Sequence, residues 1–282
     1  MRCAWQAYIN LLPLWMRSDV DKLGRDHLQE LRLRMDRPPE LIGKNGTCFL
    51  KRNATREDMD YCINAASRYS PWTSDTIKDG YITAPGGHRL GICGEAVMAD
   101  GKITTIKNIT SICIRVARDF PGICNDFPAK HGSIMIIGAP GTGKTTFLRD
   151  LIRIRSGEGY GAIAVVDERK EIFPTEGNRM CFHPGMRTEI LSGCKKTDGI
   201  PMLIRTMNPR LIAVDEITAL EDCKALVYGA WCGVKLIATA HAEDLHDFMQ
   251  RPVYEPLITN GIFDNIVIMQ ADKSWKLERM RR

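Results

Sequence analysis

The chain has 282 residues, 44% of them hydrophobic and 26% charged, with a formal net charge of +5. That balance fits a folded globular chain of one large or two modest domains, and it is too weakly basic to argue for nucleic acid by itself. The ten cysteines are scattered, with no C-x-x-C pair and no Cys/His metal spacing, so they read as reduced cytosolic thiols packed as small hydrophobes.

The first predicted element is an amphipathic helix within Cys3–Met16. Gln6, Asn10 and Pro13 interrupt its apolar run, and it lacks a small-residue cleavage site. It therefore reads as neither an export signal nor a span, but as a helix packing on an N-terminal domain. Leu28–Met35 alternates apolar and charged residues, which predicts a half-buried strand stopped by Pro38-Pro39. Asn45-Gly46 is a hairpin turn between Glu40-Leu41-Ile42 and Cys48-Phe49-Leu50. Arg56–Tyr69 has helical spacing, with Met59, Cys62, Ile63 and Ala66 on one face. Gly80–Gly94 reads as a hairpin with a glycine-rich turn, and Ile112–Val116 as a further strand. These elements predict a smaller α+β domain over residues 1–122, joined near Arg118–Lys130 to a second domain over 123–282.

Beyond Pro128 apolar strands alternate with helices. Ser133–Ile137, Gly161–Val166, Leu211–Val214, Val234–Ala240 and Asn265–Met269 are near-continuous apolar runs. Such runs describe parallel strands covered by helices, whose carboxyl ends collect ligands. The first of them leads into Gly138-Ala139-Pro140-Gly141-Thr142-Gly143-Lys144-Thr145, followed by Thr146 and a helical pattern to Ile154. Strand, glycine-rich turn and helix are the setting of a phosphate-binding loop. Its backbone N–H groups and helix N-terminus would cradle phosphates, Lys144 would reach the β- and γ-phosphates, and Thr145 would ligate Mg²⁺. The expected cofactors are thus ATP and Mg²⁺, with residues 138–146 as the binding segment.

Three other strand ends supply candidate chemistry. Asp215, closing Leu211–Val214, would reach the metal's water shell, and Glu216 beside it would polarise the attacking water. Asp167-Glu168 is a second acidic strand end, so Glu168 competes with Glu216 for the role of general base. His241 ends a third strand in Thr239-Ala240-His241, where an imidazole can donate to a γ-phosphate oxygen. Positive charge for the transition state would come from Arg115, Arg118, Arg187 or Arg205, in the same or a neighbouring subunit. Leu191-Ser192-Gly193-Cys194-Lys195 echoes the signature of ABC transporter ATPases. It stands too near the phosphate loop for that family's helical subdomain, so it reads as a helix-ending turn.

Taken together the motifs resemble the ATPases of the type II and type IV secretion and pilus-retraction superfamily, within the RecA-like P-loop ATPases. Leu203–Ile217 is similar to the segment leading into that superfamily's Mg²⁺ strand, Asp167-Glu168 to its acidic box, and Thr239-Ala240-His241 to its histidine box. Within the group, Leu11-Leu12-Pro13, Leu28–Arg34, Gly87–Gly91, Val166–Arg169 and Ile204–Pro209 resemble the stage III sporulation protein AA family over nearly the whole chain. Asp215 stands where the secretion ATPases usually have Gly, and Thr218 where they have Arg. The resemblance implies a RecA-like α/β domain in which the strand ending in Asp167 lies beside the phosphate-loop strand. It further implies an ATP-hydrolysing motor, a hexameric ring with active sites between subunits, and a cytoplasmic place at a membrane channel complex between mother cell and forespore. The implied partners are membrane proteins of the same sporulation complex, with no nucleic acid. The competing reading is a nucleic-acid-dependent RecA-like ATPase, and a third is a nucleotide switch that hydrolyses rarely.

Overall fold

The computed structural model describes residues 1–68, 77, 80–128, 131–157, 161–176 and 179–280. Tyr69, at the end of the expected helix, and Lys130, at the end of the expected junction, lie outside the described residues. The chain divides into two compact units: Met1–Asp119 with Pro174–Cys181, and Phe120–Phe173 with Phe182–Arg282.

In the first unit, helices α1 (Trp5–Asn10) and α2 (Leu14–Leu23) replace the single N-terminal helix of the sequence reading. Pro13 stands at the start of α2 with no N–H to continue α1. Tyr8, Ile9, Met16 and Val20 point into the core, each buried apolar side chain contributing roughly 1.5–3 kcal/mol. Strand β1 (Leu28–Arg34) is half-buried, as its alternation predicts. A register shift between Leu28 and Glu30 lets Leu28 reach the core together with Leu31 and Leu33. Strands β2 (Glu40–Gly43) and β3 (Gly46–Phe49) close the expected hairpin, with Gly43 opposite Gly46. Helix α3 (Arg56–Ser67) starts at Thr55, whose side chain and that of Asp58 satisfy each other's backbone N–H.

Strands β4 (Tyr81–Thr83), β5 (Arg89–Ala99) and β6 (Lys102–Arg115) complete an antiparallel sheet of order β3-β2-β1-β6-β5-β4. The β5–β6 hairpin runs well beyond the short strand ends legible in sequence. Fully buried His88 joins the unit's ends. Its Nδ1 accepts from the Ala117 N–H at 3.0 Å, so its Nε2 carries the proton and donates to the Ala4 carbonyl at 3.0 Å. Burial pushes its pKa down to about 4. The small strands β9 (Thr175–Glu176) and β10 (Arg179–Met180) form a hairpin that groups with this unit.

The second unit is built on a sheet of β7 (Ile134–Ile137), β8 (Ile163–Asp167), β11 (Thr188–Ser192), β12 (Leu211–Ile217), β13 (Lys235–Ala240), β14 (Asn265–Met269) and β15 (Trp275–Arg279). The order is β11-β8-β12-β13-β7-β14-β15, parallel throughout except for β15. The interior strands β7, β8 and β14 are buried at every position, because helices α4 (Lys144–Gly157), α5 (Lys196–Met207) and α6 (Leu220–Trp231) belong to a sheet covered on both faces. Parallel direction brings the carboxyl ends of β7, β8, β12 and β13 to one edge. Two expectations are corrected here. Strand β8 does not lie beside β7, since β12 and β13 stand between them. Residues 191–195 are not a helix-ending turn: they carry the chain from β11 into the start of α5, with Gly193 N–H bonded to the Asp167 carbonyl at 3.1 Å.

Candidate functional site

The Gly138–Thr145 loop leaves β7 and enters α4. Gly141 and Gly143 have φ of +79° and +98°, a backbone that side-chain-bearing residues rarely adopt, and Thr142 braces the turn by donating to the Ala139 carbonyl at 2.9 Å. Ala139, Pro140 and Gly141 are exposed, while Gly138 is buried and Thr146 half-buried in the first turn of α4. Lys144 is buried, and its ammonium donates to the carbonyls of Gly138 and Ala139 at 2.8 and 2.9 Å. Burial pushes its pKa below the ordinary lysine value, against the pull of Asp215 and Glu216.

The same ammonium meets His241 Nδ1 at 3.1 Å. An ammonium only donates, so Nδ1 accepts and Nε2 carries the ring proton. Nε2 donates to Glu216 Oε1 at 3.0 Å. The other oxygen, Oε2, is taken by Arg169 Nη1. A second set of bonds runs beside the first. Thr145 donates to Asp215 Oδ2 at 2.7 Å, Thr239 donates to Asp215 Oδ1, and Thr239 Oγ1 accepts the Glu216 N–H at 2.7 Å. Glu216 itself has φ +52°, and the pairing of β12 with β13 slips between Val214 and Ile217. The slip turns Glu216 out of the ladder while Asp215 stays against Thr145, a conformation that costs about 1–3 kcal/mol and is held by the Thr239 hydroxyl.

The other acidic strand end is built differently. Asp167 is 2% exposed, and its carboxylate accepts the N–H groups of Glu171, Ile172 and Phe173 at 2.9, 3.2 and 2.8 Å. Burial pushes its pKa up to about 6 despite those three donors. Glu168 pairs with Lys196 at 2.7 Å, and Lys196, 5% exposed, lies 3.6 Å from Asp222. Glu168, Arg169, Lys196, Asp215 and Glu216 line one pocket.

The structure thus gathers Lys144, Thr145, Asp215, Glu216 and His241, with Glu168 on the pocket's wall. Within the second unit it does not bring Arg187 or Arg205 there. Arg205 is exposed near the C-terminal end of α5, whose N-terminal end carries Lys196 beside the pocket, and its charge acts on Tyr228. Arg187 precedes β11, at the opposite edge of the sheet from the loop. Arg115 pairs with Glu30 at 3.4 Å, and Arg118 donates to the carbonyls of Arg25 and Leu28. Sequence reasoning gave no site role to Arg169, Lys196 or the Thr239 hydroxyl. Arg169 and Thr239 were in view, directly after Asp167-Glu168 and inside the Thr-x-His box; Lys196 had no local signal.

The family model for sporulation stage III, protein AA, matches residues 7–277. Stage III sporulation protein AA of Bacillus subtilis (strain 168) is 35% identical over 276 residues, covering 93% of this chain and 90% of that protein. The chain belongs to the stage III sporulation protein AA family. Its fold is that of the secretion ATPases. The Legionella pneumophila ATPase DotB matches with a TM-score of 0.62 at 15% identity, over 95% of this chain and 80% of that one. The pilus retraction motor PilT with bound ADP matches with a TM-score of 0.63 at 15% identity, over 94% and 83%. The carboxyl edge of a doubly covered parallel sheet is where such a sheet offers a ligand site. Among the described residues, no helix is long and apolar enough to cross a membrane.

Proposed function

We propose that the chain is a secretion-type motor ATPase of sporulation, hydrolysing ATP with Mg²⁺ as a homo-hexameric ring. It acts in the cytoplasm against a membrane channel complex between mother cell and forespore, powering its assembly or transport through it, with membrane proteins of that complex as partners. The observation that carries this reading is the connected set Lys144–His241–Glu216 and Thr145–Asp215 at the mouth of the glycine loop.

The loop's N–H groups and the start of α4 would hold the phosphates, with Lys144 turning from the Gly138 and Ala139 carbonyls to the β- and γ-oxygens. Among the described residues, no group of three or more His, Cys, Asp and Glu could hold a metal by itself. Mg²⁺ prefers oxygen, keeps several waters and shares phosphate oxygens, so the Thr145 hydroxyl and the Asp215 carboxylate fit it. When bound, it would neutralise charge building on the transferred phosphoryl group. Glu216 is the base we assign, because its carboxylate bonds to the histidine that touches Lys144. His241 would pass the loss of the γ-phosphate from Lys144 to Glu216. The remaining positive charge would come across a subunit boundary, from Arg115, Arg118, Arg187 or Arg205 of a neighbouring copy.

The test combines nucleotide binding, turnover and size-exclusion chromatography over a concentration series. ATP binding abolished by Lys144→Ala, with specific activity rising as the ring forms, is the expected result. Full activity in a strict monomer overturns the ring, and unchanged binding by Lys144→Ala overturns the site. Stimulation by single-stranded DNA or RNA would favour the nucleic-acid-dependent alternative.

A further inference from the structure

We infer that Arg169 is a catalytic arginine of the same chain, which pairs with Glu216 and passes to the γ-phosphate when ATP binds. The inference rests on the ATPase reading above and deepens it.

Both carboxylate oxygens of Glu216 already accept a hydrogen bond. Oε1 takes the His241 proton at 3.0 Å, and Oε2 takes Arg169 Nη1. A carboxylate paired with a cation is a weaker base for the proton of an attacking water. Two cations stand on this chain of contacts, Lys144 and Arg169. The Lys144 ammonium is spent on two loop carbonyls and on His241, and it must let go of them to reach phosphate oxygens. Arg169 stands at the other end of the same chain of contacts.

Exposure decides which partner Arg169 keeps. Its side chain is 51% exposed and that of Glu216 28%, so their attraction is screened by water. A γ-phosphate offers a guanidinium a doubly charged, bidentate acceptor, which competes well against a screened carboxylate. Lys196, by contrast, is 5% exposed and engaged with Glu168 and Asp222. The pocket lined by Glu168, Arg169, Lys196 and Glu216 therefore holds one half-exposed cation and one buried cation.

Transfer of Arg169 clears Oε2 of Glu216. The water oxygen then bonds to the γ-phosphorus, and its proton passes to Oε2. The bond from the γ-phosphorus to the bridging oxygen breaks, its electron pair leaving on ADP. Arg169 offsets the negative charge on the equatorial oxygens as this happens. Departure of phosphate returns the guanidinium to Glu216.

The test uses the full chain and compares binding of ADP with that of a non-hydrolysable ATP analogue, then measures turnover. Arg169→Ala should weaken the analogue about tenfold while leaving ADP binding unchanged, and should lower kcat by tenfold or more. Arg169→Lys should recover part of both. Equal affinities of Arg169→Ala and the unaltered chain for the analogue overturn the inference, as does a kcat that rises, which would make Arg169 a brake only. If the unaltered chain binds neither nucleotide, the ATPase reading itself fails, an outcome distinct from a failure of Arg169 alone.

Discussion

Two strand ends of this protein carry the same dipeptide. Asp167-Glu168 closes β8 and Asp215-Glu216 closes β12, and the two strands are neighbours in the sheet. Their environments divide the work. Asp167 is sealed in and ties down the turn at residues 171–173, while Asp215 bonds to the hydroxyls of Thr145 and Thr239 beside the phosphate loop. Glu168 is pinned by a buried lysine, while Glu216 sits on a backbone irregularity facing His241 and Arg169. Identical side chains at equivalent ends of adjacent strands become a loop anchor in one case and proposed chemistry in the other. What separates them is desolvation and the partners the tertiary structure supplies.

The largest effect should split the glutamates. Glu216→Gln is expected to lower single-turnover ATP cleavage by roughly 10²-fold or more with nucleotide binding retained, the scale of a lost general base. Glu168→Gln should cost less than about tenfold. Equal losses would erase the contrast, and an inverted order would move the base to β8.

Stability should split the aspartates. Asp167→Ala leaves three buried N–H groups without their acceptor, at about 1–3 kcal/mol for each such group, so urea unfolding of the second unit should lose at least about 3 kcal/mol. Asp215→Ala, at a half-buried position, should lose roughly 1 kcal/mol while stopping metal-dependent turnover. Comparable unfolding losses in the two variants would show that the anchor is not confined to β8.

The same aspartate sets a pH dependence whose sign follows from its pKa of about 6. An unfolded chain releases this proton near pH 3.9. Between those values the folded state binds more protons than the unfolded one, so the contribution of Asp167 is full below about pH 4 and is lost as pH rises through about 6. The loss is at most about 3 kcal/mol. The unfolding free energy of the unaltered chain, minus that of Asp167→Asn, should therefore fall across this window. A difference that rises with pH would mean that the three N–H donors outweigh burial.

The smallest effect sharpens the geometry of β12. Thr239→Val keeps the shape and removes the hydroxyl joining Asp215 to the Glu216 N–H. It should cost about 1 kcal/mol of stability, and turnover should fall several-fold as Glu216 loses its brace. Unchanged turnover would show that the left-handed turn at Glu216 holds itself.

Much of the second unit was legible because a parallel strand buried on both faces must be apolar along its whole length. Ser133–Ile137, Leu211–Val214, Val234–Ala240 and Asn265–Met269 carry that mark. Strand β11 mixes Thr188 and Glu189 with Ile190 and Leu191 because it is a half-buried edge, and β15 alternates for the same reason, so neither announced itself. The strands of the β9–β10 hairpin are too short for any period to register. In the first unit Pro13 divides the N-terminal segment into two helices, since its ring leaves no N–H to continue the first.

The sequence alone determined the glycine loop, the polar residues at the strand ends and the family, because these depend on residue type and local spacing. It also marked the apolar runs that become the interior strands of the second unit. Tertiary structure decided the order of those strands, placing β12 and β13 between β8 and β7, since the pairing of parallel strands is set by packing across distant parts of the chain. It decided that Asp167 is buried and Asp215 reaches Thr145, that Arg205 stands away from the pocket, and that Arg169 and Lys196 line it. Solvent access and the meeting of charges far apart in sequence are properties of the folded chain, and they separate two identical dipeptides.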